Sequence, residues 1–273
     1  MIIIPRRHYT QPQGRVEIDW SHPMSEGLIF AFDPAGWRNA VTGVAMTAVG
    51  GASRFPGPTG QRLRTLASAD VLTCPIPRVE STSPLYAYAR VTALASNTAR
   101  KRFLRMSNAT AGTILSLDYG NGSVNRGLVG IQTASGFPSL GTDSAPAIGD
   151  QDVYFGHDGT ASSDGLTIVV DDVAGTTKYG AQTARLGHAD TLYLGNNSSS
   201  FPWNGYIESV FIWTRPVPPD ERAPLRENPW QLFRADPVRI YSFPSGPIIP
   251  ALSGLTTTNI TQSGARHSLT LTF

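Results

Sequence analysis

Cysteine is almost absent: Cys74 stands alone in 273 residues, which excludes an intramolecular disulfide and a zinc site built on several thiolates. Its setting, Val71–Pro77 (VLTCPIP), is apolar and offers no cation to hold a thiolate, so it reads as a buried structural thiol. Charge is scarce as well. Only 15% of residues are charged, and 22 Lys and Arg nearly balance 20 Asp and Glu, for a formal net charge of +2. Without a long basic run to neutralise a phosphate backbone, nucleic acid is not an expected partner. The short cluster Arg100–Arg105 (RKRFLR) is read as an exposed strand or loop.

Long apolar runs are missing too. The opening MIII ends at Pro5, too short for a signal-peptide core or a membrane span, so the expectation is synthesis in a cytoplasm and no membrane insertion. Sustained helical periodicity is absent except over Pro219–Asn228, where Pro219 and Asp220 stand at a helix start. No Gly-x-Ser-x-Gly elbow occurs, which leaves His157-Asp158 and His188-Ala189-Asp190 without a serine nucleophile. Both histidines sit beside glycine and are read as turn residues.

What is plentiful is punctuation: 27 Gly and 21 Pro. Between them lie short runs of period two, among them Gly27–Asp33, Leu85–Thr92, Ile114–Tyr119, Val153–His157, Leu166–Val170 and Tyr206–Trp213. Such runs separated by turn clusters predict an all-β sandwich, and one sandwich commonly exceeds 200 residues. In Tyr206–Trp213, strict alternation assigns Tyr206, Glu208, Val210 and Ile212 to one face, and Ile207, Ser209, Phe211 and Trp213 to the other. Three segments are expected: an arm over residues 1–23 with one strand in Arg15–Trp20 (RVEIDW), a body over 24–243, and a tail over 244–273. The body ends in a segment that wraps back through Asn228–Phe233 and Arg239–Phe243. The tail is expected to pair Leu255–Ile260 with Leu269–Phe273.

One stretch carries more than rhythm. In Leu192–Arg215 (LYLGNNSSSFPWNGYIESVFIWTR), the residues Leu192, Leu194, Gly195, Asn204, Gly205, Ile207, Glu208, Val210, Ile212, Trp213 and Arg215 resemble the closing segment of the laminin-G-like, concanavalin A-like jelly roll. The opening Arg15–Asp33, with Asp19, Trp20, Pro23, Gly27 and Leu28, is similar to the start of tailed-bacteriophage virion proteins carrying such a domain. So are Glu227–Phe233 (ENPWQLF) and the terminal TNITQSGARHSLTLTF. The resemblance spans nearly the whole chain, strongest at its two ends; residues 41–190 match by strand rhythm alone.

The resemblance implies a non-enzymatic virion structural protein, made without a signal peptide. It would be a tail-tip, baseplate or fibre-associated adhesion module with a lectin-like fold. A capsid decoration protein is the alternative, and a glycan-active hydrolase of the same fold is the second. Its partners would be other virion proteins, copies of itself, and a host cell-surface glycan. Calcium is the family's common ion, with Asp158 and Asp164 as the expected donors from turns. Trp203 and Asn204, between two strands, are the expected glycan contacts. Trp230, Phe233, Tyr241 and Phe243 are the expected assembly anchors. Hydrolysis by glucanase relatives uses Glu-x-Asp-x-x-Glu on one strand. Glu17-Ile18-Asp19 has the first spacing here, but Ser21 and His22 follow where the next carboxylate belongs. No catalytic residue and no cofactor is therefore expected.

Overall fold

The computed structural model describes residues 11–12, 16–67, 69–94, 101–108, 112–121, 124–131, 139–142, 148–160, 165–179, 187–195, 203–235, 260–263 and 266–269. The chain divides into two compact units, Met1–Asp236 and Pro237–Phe273. The first is a sandwich of two antiparallel sheets. In spatial order, one runs Thr177–Tyr179, Ser139–Gly141, Val124–Ile131, Gly112–Asn121, Lys101–Asn108, Ala189–Gly195, Val71–Val79 and Thr47–Val49. The other runs Val173–Ala174, Leu166–Val170, Gly149–His157, Leu85–Ala93, Gly205–Trp213, Leu28–Asp33 and Arg38–Asn39. Gln61–Thr65 also pairs with Gly205–Trp213 and carries Ser53–Pro56 on its outer edge.

The core lies between the sheets. Phe103, Leu104, Leu115, Leu117, Leu192 and Leu194 from one sheet meet Ala87, Ala89, Val91, Val153, Phe155 and Ile212 from the other. Alternation on Leu85–Ala93 holds as expected, with the odd positions in this core and Tyr86 and Tyr88 on the opposite face. On Gly205–Trp213 it does not. A register shift between Ile207 and Ser209 inserts an extra residue, so Ile207 joins Val210 and Ile212 in the core while Phe211 and Trp213 face outward. A bulge of this kind flips the phase of every residue beyond it. Lys101–Asn108 corrects a second expectation. Of the basic cluster, Lys101–Arg105 lie in a strand hydrogen-bonded on both sides, and Arg102 is buried; Arg100 lies outside the described residues.

The outward aromatics are covered by the two ends of the unit. Val16–Ile18 pairs with Phe233–Ala235, joining the arm to the exit segment. The single turn Pro23–Ser25, the helix Pro219–Glu227 and the turn Pro229–Leu232 complete the cover. Asp220 and Glu221 in the first helical turn and Arg226 in the last suit the helix dipole. Beneath this cover is a second apolar cluster of Val16, Ile18, Met24, Tyr86, Tyr88, Tyr154, Phe211, Trp213, Leu225, Trp230, Leu232 and Phe233.

The segment NPWQLF does wrap back, and that corrects its expected role. Trp230 and Phe233 are only 1% and 5% exposed. They are consumed in covering their own sheet, each such burial stabilising by about 1.5–3 kcal/mol, and leave no surface for a neighbouring subunit. Tyr241, Phe243 and the spacer Pro244–Pro250 lie outside the described residues. In the second unit, Ile260–Ser263 pairs with Arg266–Leu269. The hairpin sits inward of the expected strands, because pairing Ser263 with Arg266 leaves two residues for the turn, the shortest common hairpin loop.

A candidate ligand groove at the arm

The alternating run Val16–Ile18 ends in a turn built by Asp19. Its Oδ1 accepts hydrogen bonds from Ser21 N (3.1 Å), Ser21 Oγ (2.6 Å) and Arg234 Nη2 (2.7 Å). The Ser21 hydroxyl, aided by the Arg234 guanidinium, holds the Asp19 carboxyl below the usual carboxylate range against the opposing effect of burial. The carbonyl of Asp19 accepts from His22 N at 2.9 Å, and Ser25 Oγ reaches the carbonyl of Trp20 at 3.1 Å. These bonds fix Trp20 on a rigid turn while its side chain stays out of the core. Trp20 is 58% exposed.

Beside it opens a cavity of about 410 Å³. One wall is Val16–Ile18 with Trp20 and Arg234; the other is the turn Arg38–Gly43. Asn39 holds that turn in place. It is fully buried, and its Oδ1 accepts from Ala31 N (3.2 Å) and Val41 N (3.0 Å). Gly43 closes the turn at φ +73°, where only glycine is free of strain, and donates to Asn39 O at 2.7 Å. Arg38 Nε stands 3.5 Å from Asp33 Oδ2. Burial pushes the Asp33 carboxyl up, although the amides of Gly36 and Ala35 and the charge of Arg38 oppose it. Among the described residues, the lining thus combines an exposed indole, the guanidinium groups of Arg38 and Arg234, the hydroxyl of Thr42 and the carboxylate of Glu17. An indole face packs against the C–H face of a sugar ring, and the polar groups suit hydroxyls.

The residues nominated from sequence lie elsewhere. Trp203 is fully buried, its ring 5.2 Å from that of Phe103, so it has no face to offer a ligand. Gly205 explains part of this placement: a Cβ there would strike the Trp203 ring and the Thr92 carbonyl. Asn204 is half-buried, and its carbonyl accepts from Leu94 N at 3.2 Å. Asp158 caps its own turn, accepting from Thr160 N (2.8 Å) and Thr160 Oγ1 (2.7 Å). Asp164 lies outside the described residues. Among the described residues, no three His, Cys, Asp or Glu side chains gather into a metal-binding group.

His157 is buried, with Nδ1 accepting from Gly159 N at 3.0 Å, and His188 Nε2 lies 3.3 Å from Asp190 Oδ2. Cys74 is fully buried, and burial pushes its thiol up to about 11, as a structural cysteine requires. Trp20 was legible in principle. It closes RVEIDW directly before Ser21, His22 and Pro23, the same between-elements position that nominated Trp203.

No family model matches the sequence, and no curated protein sequence matches it. Solved structures do resemble the fold. Trypanosoma rangeli sialidase in complex with the inhibitor DANA aligns over 75% of this chain and 32% of its own, with a TM-score of 0.52 and 14% identity. The binding domain of botulinum neurotoxin DC in complex with SialylT aligns over 74% of this chain and 51% of its own, at TM-score 0.54 and 10% identity. Domain 4 of AbnA, a GH43 extracellular arabinanase from Geobacillus stearothermophilus, in complex with arabinotriose, aligns over 78% of this chain and 99% of its own, at TM-score 0.51 and 14% identity. The chain therefore spans about a third of the sialidase and half of the toxin domain. These likenesses establish a concanavalin A-like jelly-roll β-sandwich, the expected fold class.

Proposed function

We propose that this protein is a non-enzymatic adhesion module of a tailed-bacteriophage particle that contacts a host glycan through the groove beside Trp20. The observation that carries the glycan contact is the exposed Trp20 indole, held on a hydrogen-bonded turn at the mouth of a polar cavity. A preorganised aromatic platform loses little conformational freedom on binding. Two fold neighbours support the reading, since the toxin domain and the arabinanase domain were each solved with the bound ligands named above.

Placement in a virion rests on the resemblance of the chain's two ends to phage structural proteins. Within the particle, a tail tip, baseplate or fibre is favoured over the head, because a glycan contact belongs where the host surface is met. Residues 237–273 serve as the anchor to other virion proteins, with Tyr241 and Phe243 the remaining aromatic candidates. Binding is favoured over hydrolysis by the groove's composition: glycosidic cleavage takes a pair of carboxylates, and Glu17 is the one carboxylate among the described residues of the lining.

A glycan array probed with purified protein tests this. Wild type should bind a defined glycan set, and Trp20→Ala should lose at least tenfold in affinity. An unchanged Trp20→Ala would remove the groove from the reading, and release of reducing sugar from a bound glycan would make the protein a hydrolase. Deleting Pro237–Phe273 should abolish incorporation into particles; normal incorporation would discard the anchor.

A further inference from the structure

The groove beside Trp20 holds polar groups that the fold leaves unused. Glu17 is exposed on the arm strand with Arg234 directly across the strand pair. Arg234 nevertheless spends its Nη2 on Asp19 Oδ1 at 2.7 Å. Among the described residues, Glu17 has no hydrogen bond and no ion pair. Arg38 stands on the opposite wall with its side chain 35% exposed, and it approaches Asp33 through Nε at 3.5 Å. Among the described residues, its two terminal amino groups donate no hydrogen bond. Thr42, exposed beside it, accepts from Val44 N at 3.4 Å, which leaves the hydroxyl proton free to donate.

These groups sort by wall. On the arm side stand the Trp20 indole and the Glu17 carboxylate. An indole face attracts a cation through its quadrupole, and a carboxylate beside it strengthens the attraction, so this wall suits an ammonium group. On the turn side stand Arg38 and Thr42. The guanidinium fork matches phosphate geometry, and a phosphate monoester has three terminal oxygens for the two amino groups and the hydroxyl. Counted with Asp19 and Asp33, two guanidinium groups stand against three carboxylates, so neither sign dominates the groove. A purely anionic sugar would meet Glu17, and a purely cationic one would meet Arg38. A ligand carrying both signs finds a partner for each.

We infer that the ligand of this groove is a zwitterionic saccharide, its ammonium group held at Trp20 and Glu17 and its phosphate at Arg38 and Thr42. The inference rests on the glycan-binding reading of the groove and narrows it to one class of glycan. The cavity of about 410 Å³ is of the size that encloses a small polar ligand. Opposite charges on opposite walls also fix the direction in which such a ligand enters, which is what charge complementarity contributes to recognition.

Calorimetric titration with four probes tests this. Glucosamine 6-phosphate carries both charges, N-acetylglucosamine 6-phosphate only the phosphate, glucosamine only the ammonium, and N-acetylglucosamine neither. Wild type should bind glucosamine 6-phosphate at least tenfold more tightly than either singly charged probe. Glu17→Gln, at an exposed position, should become indifferent to N-acetylation while still preferring the phosphate. Arg38→Gln should become indifferent to the phosphate while still preferring the free amine. Arg38→Lys restores the charge and should recover part of the phosphate preference, which separates a lost contact from a disturbed turn. Arg78→Gln removes an exposed guanidinium from the other sheet and should bind like wild type. The inference fails if a singly charged probe binds as tightly as the doubly charged one, or if Glu17→Gln and Arg38→Gln keep wild-type selectivity. It fails too if Arg38→Lys recovers nothing or if Arg78→Gln alters the selectivity. Should none of the four bind while neutral glycans on an array bind and lose affinity in Trp20→Ala, the groove reading stands and the zwitterionic ligand falls. With no binding on either, both fall.

Discussion

The indole N–H of Trp213 donates to the backbone carbonyl of Met24 at 2.7 Å, joining the last residue of a central strand to the turn that follows the N-terminal arm. Around that bond the arm, the Pro219–Glu227 helix and the exit strand close over one sheet. Arg215 reinforces the closure, with Nε on Glu26 O at 2.9 Å and Nη2 on Glu221 Oε2 at 2.6 Å. The closure also forms one wall of the candidate groove, since Val16–Ile18 and Arg234 both belong to it.

Trp213→Phe keeps the aromatic packing and removes the donor. The Met24 carbonyl is then buried without its partner, and the expected loss is about 1–3 kcal/mol, read as a lower urea midpoint at unchanged slope. An unchanged midpoint would mean that the bond contributes nothing to the closure.

The two tryptophans weighed as ligand platforms should separate cleanly in stability. Trp203→Ala empties a fully buried site and should cost about 3–5 kcal/mol. Trp20→Ala, on an exposed turn, should stay within about 0.5 kcal/mol of wild type. Denaturant titration of both variants checks this, and a large loss in Trp20→Ala would show that the turn is structural.

Asp70 accepts hydrogen bonds from Gly51 N (2.6 Å), Leu66 N (3.0 Å) and Ala67 N (2.9 Å). Burial pushes its carboxyl up, but those three amides together hold it below its ordinary value of 3.8. A depressed carboxylate contributes stability above the unfolded-state pKa, and that contribution is lost as pH falls through the folded one. Asp70→Asn should therefore cost about 1–3 kcal/mol at pH 7. The gap should persist down to pH 5 and narrow below the ordinary value of 3.8. Melting curves at stepped pH measure it; a gap that widens in acid would reverse the assignment.

Asp118→Ala removes the two-pronged partner of the buried Arg102 guanidinium and should cost about 3–5 kcal/mol. Replacing both partners by apolar residues of similar volume should cost far less, because neither member of the pair is then buried without the other. Equal losses in the single and double variants, measured by chemical denaturation, would deny the pair any coupling.

Local chemistry made much of this fold readable. Period-two runs between glycines and prolines located most strands, because side chains on an extended backbone must alternate whatever surrounds them. Pro219 and Asp220 marked the one helix described in the sandwich unit, and the apolar neighbours of Cys74 marked its burial. The candidate site was less readable. Trp20 and Trp203 both stand between strands beside polar residues, and nothing local distinguishes them. Phe103 on the facing sheet seals one, while no element covers most of the other.

The sequence alone thus determined the sandwich, its strand rhythm and the return of NPWQLF over the body, all consequences of short-range backbone and side-chain preferences. Tertiary structure alone decided the rest. Two bulges, at Ile207–Ser209 and at Phe103, shift the phase of strands whose alternation looked strict. They send Ile207 inward and bring Arg102 and Arg105 to one face. Where an extra residue is inserted depends on the strand alongside, so neither shift was visible in the chain by itself. Trp230 and Phe233 were legible as sticky, but whether they cover their own sheet or a neighbour depends on which apolar face lies within reach. In this fold the outer face of the sheet, carrying Phe211 and Trp213, is that surface, and the exit segment closes on it.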